Sequence, residues 1–243
     1  MLTRRDLGTL CFFGLATALH ARAAAALRPF GPRWIADLDA LGREVKGQSL
    51  GQVEWMAKVE ELLGRVDVDD FLRLIDFDAI LKKGEAYGGK GAKSLPVEFP
   101  ERDGIPDRTV FGRQIFAVKK GRSVVPHGHD NMATAFLVIK GEFRGRLYER
   151  LEDGPKHLIL RPSIDRAFAR GSTSSISDKK DNVHWFEATT DSAYIFNIHV
   201  TGVTPQHPRP TGRVYVDPAG EALEGGRIRA RIINHAEADR LYG

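Results

Sequence analysis

Cysteine is all but missing from this chain of 243 residues, with Cys11 the sole example. A disulfide framework and a thiolate zinc cluster are therefore excluded, since each needs several sulfurs. Long apolar runs are missing too. The longest, residues 7–19, falls short of the ~20 residues that span a bilayer as a helix. Charge of one sign is equally scarce: 36 basic against 32 acidic residues leave a formal +4, and the two signs are interleaved rather than blocked. Without a single-sign face there is no electrostatic footprint for nucleic acid. The 25 glycines and 12 prolines are dispersed, and 42% hydrophobic content is enough for a packed core. At ~150 residues per domain, the length suits one domain plus an accessory layer.

The first residues read as an address. Arg4 and Arg5 precede the modest apolar stretch, and Ala21-Arg22-Ala23 comes after it as a small-x-small cleavage pattern. This order resembles a twin-arginine export signal, which carries folded proteins out of the bacterial cytoplasm. The expectation is a signal peptide over residues 1–23 and a periplasmic or otherwise exported mature protein of formal charge +2, without Cys11 and without stable membrane insertion.

Two compositional halves make up the remainder. Over residues 30–84 apolar side chains recur at three-to-four spacing: Trp34, Ile35, Leu38 and Leu41, then Val53, Met56, Val59 and Leu62-Leu63, then Phe71 to Leu81. Gly47, Gly51 and Gly64 punctuate these runs, and Ser49 stands where a cap belongs. The reading is a layer of about three amphipathic helices, too thin to hold a core alone and so packed on the C-terminal half. Residues 85–243 shift to β-branched and aromatic runs (109–119, 134–150, 156–161, 183–189, 193–201 and 213–217) bounded by turns such as Glu152-Asp153-Gly154-Pro155 and Asp217-Pro218-Ala219-Gly220. Short strands with no helix between them predict a mainly β, closed antiparallel barrel or sandwich.

Histidines carry the chemistry. His127 and His129 are two apart, which in an extended strand puts both imidazoles on one face, as two ligands of one metal require. His184 opens the strand-like Val183-His184-Trp185-Phe186, and His199 lies in Asn197-Ile198-His199-Val200-Thr201. His157, His207 and His235 sit in polar or turn-rich surroundings and read as surface. Arg144 and Arg146 share one strand face, either outward into solvent or inward as an anion clamp. Trp185 and Tyr194 read as core.

The frame Gly121, His127, His129 and Gly141 resembles the first motif of the cupin family, and His184 matches the histidine of the second. The resemblance implies a single cupin (double-stranded β-helix, jelly-roll) barrel holding one divalent metal ion. Thr134 stands where that family has a ligating glutamate, leaving three histidines: His127, His129 and His184. A three-histidine set, with His199 fifteen residues after His184, is similar to the thiol dioxygenases, of which cysteine dioxygenase is an example. Asn197 and Thr201 occupy the places of that family's serine and tyrosine. The resemblance implies Fe(II), with Zn, Mn or Ni open. It also implies dioxygenase-type chemistry on a small polar molecule, catalytic positions at His199 and Asn197, and possible homodimers. His199 is equally open to a role as a satisfied core residue. A non-redox isomerase or hydrolase and a non-catalytic small-ligand-binding module stay open beside the oxidoreductase.

Overall fold

The computed structural model describes residues 32–100, 105–106 and 108–243. The expected export signal and Cys11 lie outside the described residues. Among the described residues four helices come first: α1 (Pro32–Lys46), α2 (Gln52–Gly64), α3 (Val68–Leu74) and α4 (Phe77–Glu85). The expected third helix is two, because Asp76 adopts a left-handed conformation (φ 49°) that breaks the run between them. Asp67 caps α3, its carboxylate accepting from the Asp69 and Asp70 amides. Ser49 does not cap α2: Gly51 holds that place, while the Ser49 hydroxyl donates to the Glu44 carbonyl at the end of α1. The buried stripe of α2 is Trp55, Met56, Val59 and Leu63, with Val53 half exposed.

Eleven strands come next, all paired antiparallel. They are β1 (Lys93–Pro96), β2 (Gly112–Lys119), β3 (Ser123–Asp130), β4 (Met132–Lys140), β5 (Glu142–Asp153), β6 (His157–Ala169), β7 (Thr173–Ile176), β8 (Val183–Ala188), β9 (Ser192–Thr201), β10 (Gly212–Leu223) and β11 (Arg227–Ile233). A last helix, α5 (His235–Tyr242), packs its Ala238 with Val125 of β3 and Ile233 of β11. The run expected at 134–150 is split by Gly141 (φ 70°) into β4 and β5. The turn expected at Asp217-Pro218-Ala219-Gly220 is instead a bulge inside β10, where the register against β11 slips between Asp217 and Glu221.

Five strands form one sheet in the order β1-β2-β9-β4-β7, and six close a ring, β10-β11-β6-β5-β8-β3. The main core lies between the sheets: Phe116, Phe136, Val138 and Ile195 from the first meet Phe143, Leu147, Phe168 and Phe186 from the second. A second core inside the ring holds Tyr148, Leu158, Leu160, Val183, Val216 and Ala230. Strand alternation turns Tyr194 and Phe196 to the opposite face from Ile195. There they meet the helices, with Phe71 4.6 Å from Phe196 and Phe77 5.2 Å from Tyr194 between ring centroids. Each such buried phenylalanine contributes about 1.5–3 kcal/mol. The architecture is mainly β, a five-stranded antiparallel sheet packed on a closed six-stranded ring with helices laid on one sheet, and among the described residues no helix is long and apolar enough to cross a membrane.

Candidate metal centre

Three imidazoles converge inside the barrel. His127 and His129 come from β3, and His184 lies opposite His127 on β8. Between Val124 and His127 the β3–β8 register carries a bulge, so Val124 and His127, three apart, both face the interior. Each ring offers one nitrogen, and the three nitrogens lie within 4.8 Å of one another. Ring centroids are 4.2 Å apart for His127–His184, 5.0 Å for His127–His129 and 5.2 Å for His129–His184. All three side chains are buried.

Neighbouring groups hold the rings in place. The His127 Nδ1–H donates to the Val125 carbonyl at 2.8 Å, which leaves Nε2 as the free lone pair. Thr134 sits 3.0 Å from His129 Nδ1 through its hydroxyl. The residue standing in the glutamate position thus orients a histidine. Asn182 grips the His129 backbone on both sides, its Oδ1 accepting from the amide at 3.2 Å and its Nδ2 donating to the carbonyl at 2.9 Å. Beside them Asp130 accepts from Arg150 at 2.9 Å and from Arg209 at 2.8 Å. Sequence reasoning missed Asn182; its only local signal is an amide side chain two residues before His184.

Burial is the main cause that pushes His127 down to about 3, with the positive charge of Arg213 adding to it against the Val125 hydrogen bond. His129 and His184 are held well below the ordinary histidine range, first by burial and then by their neighbouring rings and Arg213. Neutral imidazole is the form that binds a metal. Among the described residues, the buried nitrogens His129 Nε2 and His184 Nδ1 have no hydrogen-bond partner. Buried polar atoms are ordinarily satisfied, so these two are the fit test for a bound ion, and the site passes it. His127, His129 and His184 are the residues that would hold a divalent metal.

Other expected residues fall at varying distance from this centre. His199 pairs with Thr134 on one side and Gly112 on the other, so it shares the interior face. A β-carbon at position 112 would collide with its imidazole. Burial, then Arg213, lowers the His199 pKa. Asn197 faces the interior but is spent on structure: its Oδ1 accepts from Gln114 Nε2 at 3.1 Å, and Gln114 in turn accepts from Ser94. Arg144 and Arg146 face outward, bound to Asp165 and Glu187. Tyr194 is core, whereas Trp185 is half-buried on the outer face between Arg146 and Tyr242. His157 and His207 are half-buried, and exposed His235 lies 5.0 Å from the Tyr215 ring.

A cavity of about 210 Å³ opens on His127, lined also by Ser94, Val125, Arg213, Tyr215 and His235. Arg213 and Tyr215 belong to β10 and lie opposite His129 and His127 in register. Neither was visible as a site residue in the sequence, because nothing local announces a pairing more than eighty residues away.

No family model and no curated protein matches the chain. Among solved structures, an 11S globulin of Wrightia tinctoria with an auxin binding site aligns over 43% of this chain and 22% of its own length, at 10% identity and a TM-score of 0.33. Pumpkin seed globulin aligns over 53% and 29%, at 10% identity and a TM-score of 0.37. A Thermus thermophilus protein aligns over 50% and 93%, at 16% identity and a TM-score of 0.35. The chain thus spans between a fifth and a third of the globulins it resembles. What the geometry itself gives is a buried three-histidine cluster inside a β-barrel that could hold a single metal ion.

Proposed function

We propose that this protein is a metal-dependent oxidoreductase of dioxygenase type, holding one divalent ion on His127, His129 and His184 and acting on a small polar molecule. The observation that carries the reading is the pair of buried, partnerless ring nitrogens within a three-imidazole cluster beside a cavity. A transition-metal ion on three neutral imidazoles keeps open coordination positions, and Fe(II) there supplies redox chemistry whereas Zn(II) would supply a water of depressed pKa. The chain's own residues do the rest. Thr134 and the Val125 carbonyl fix the orientation of two rings, and Asn182 fixes the strand beneath one of them. Phe136, 5.2 Å from the His184 ring, and Phe186 beyond it keep water from the inner side. His199, on the same face as Thr134, is the group placed to orient a ligand or exchange a proton with it. Asn197 supports this wall through Gln114 rather than touching the three rings. Export of the folded, loaded protein through the twin-arginine-like segment belongs to the same proposal, and N-terminal sequencing of native material tests it by a start near Ala24.

Elemental analysis of protein purified without added metal, followed by anaerobic Fe(II) loading and oxygen-electrode assays against small thiols, alcohols and organic acids, tests the chemistry. One equivalent of metal with substrate-dependent oxygen uptake is the expected result. Metal without oxygen uptake on any substrate sinks the oxidoreductase reading in favour of a non-redox enzyme or a ligand-binding module. Absence of metal sinks the centre itself.

A further inference from the structure

We infer that one end of the barrel docks reversibly on an anionic lipid bilayer, through a rim of lysines that the fold gathers from separate segments. Residues 32–243 carry 32 basic and 31 acidic side chains, so this part of the chain is almost neutral. Its charge is nonetheless sorted in space. Residues 82–93, 119–122, 140–142 and 189–192 hold eight basic and three acidic side chains, a formal +5, which leaves −4 for the remainder.

Hydrogen bonds place these four segments side by side. Lys82 and Lys83 stand in the last turn of α4, and Lys119 Nζ donates to the Glu85 carbonyl there at 2.9 Å. The Arg122 guanidinium donates to the Gly89 carbonyl and so brings in the stretch that carries Lys90 and Lys93. The Gly121 amide donates to the Ala188 carbonyl and the Ala188 amide to that of Arg122, both at 2.9 Å, which ties the β2–β3 turn to the β8–β9 connection. Lys140 Nζ reaches the Ser192 hydroxyl at 2.7 Å. Of the eight cations, only Lys120 has a carboxylate within 4.0 Å among the described residues, that of Asp191. Arg144, Arg150, Arg229 and Arg231, elsewhere on the barrel, are each ion-paired. Seven of the eight are lysines, and five of those are exposed. Lysine is a mobile point charge suited to a fluid layer of headgroups, whereas the fixed fork of arginine suits one rigid anion. An apolar side chain also favours lipid over nucleic acid here: Leu241 is exposed, and its neighbour Tyr242 accepts from the Ser123 hydroxyl, next to Arg122, at 2.5 Å. Docking of this kind needs no metal and stands apart from the histidine centre.

Co-sedimentation of the full chain with equimolar phosphatidylglycerol–phosphatidylcholine vesicles, against phosphatidylcholine alone, tests it. Wild-type protein should partition onto the anionic vesicles at least about ten-fold more strongly, and rising salt should release it. Lys83→Gln, Lys90→Gln and Lys120→Gln combined should lower that partitioning on the order of 100-fold, roughly five-fold for each lysine. Lys156→Gln, Lys179→Gln and Lys180→Gln combined remove the same charge from the β5–β6 and β7–β8 connections, and should change it by less than about three-fold. All six lysines are exposed, so both variants should keep the barrel by circular dichroism. Residues 1–31 are common to all three proteins, so their contribution cancels. No partitioning onto the anionic vesicles, equal partitioning onto both kinds, or equal losses in the two triple variants overturns the inference. A heparin or duplex DNA complex that outlasts vesicle binding as salt rises overturns it too, in favour of a polyanion site.

Discussion

Each imidazole of the centre is fixed by a different neighbour, and substitutions should separate those contributions. His127→Ala, His129→Ala and His184→Ala are expected to lose stoichiometric metal, read by elemental analysis, while circular dichroism shows an intact barrel. His199→Ala should keep its metal, because its ring sits beyond Thr134 rather than within the cluster. A metal-free His199→Ala would make the site a four-histidine one. Thr134→Val removes the hydroxyl that holds His129 Nδ1, and metal affinity should drop ~10–100-fold, as for other groups that orient a ligand ring. Thr134→Ser should retain most of it. Acid should also weaken the metal-free fold. The unfolded chain protonates these histidines below about 6.5, whereas burial keeps His127 neutral down to about 3 and holds His129 and His184 well below the ordinary range. The unfolded state therefore binds more protons throughout that window. Stability is fully present above about 6.5 and declines as pH falls, by up to ~1.4 kcal/mol per unit for each histidine. A urea midpoint unchanged between neutrality and about pH 5 would refute this, in a range where ordinary carboxylates have not yet titrated.

Among the elements, the turn between β4 and β5 shows why the spacing read from the sequence needs glycine at its end. Gly141 has φ 70°, and a β-carbon there would run into the Ser192 carbonyl of β9 and the Thr190 side chain. Gly141→Ala should cost about 1–3 kcal/mol or more in thermal or urea unfolding, while Gly154→Ala at the β5–β6 turn, where φ is not positive, should cost less. The same local logic explains what was legible. His127 and His129 were read correctly as sharing a face because strand alternation is a local property, and β2, β8 and β9 end within a residue of their runs, at turns whose chemistry is equally local, whereas β6 and β10 run on past the expected ends at 161 and 217. Asp76 hid a break because the three-to-four spacing of apolar residues carries on across its left-handed backbone, so α3 and α4 looked like one run. β1 and β7, four residues each, were too short to show alternation. Arg213 could not be picked out, since its place opposite His129 comes from a register that only the closed ring establishes.

Taken as a whole, the molecule puts its chemistry under a late-arriving cover. β10 pairs with residues 127–130 of β3 only after more than eighty intervening residues have been made, and β11 then closes onto β6. Pairings of such sequence separation carry a large loop-closure cost and tend to form slowly. The rings of His127, His129 and His184 are at most 3% exposed. With the rings this buried, release of an ion through the cavity beside His127 needs the cavity wall, β10 included, to open, so exchange should be governed by an opening rate rather than by affinity. Chelation by EDTA should become independent of EDTA concentration at high excess, with a plateau rate matching amide hydrogen exchange in β10. A rate that rises linearly without limit would show instead that the chelator reaches the ion through the cavity as it stands, with no opening of its wall. Under gated exchange, the metal found in the protein records what was available when the chain folded.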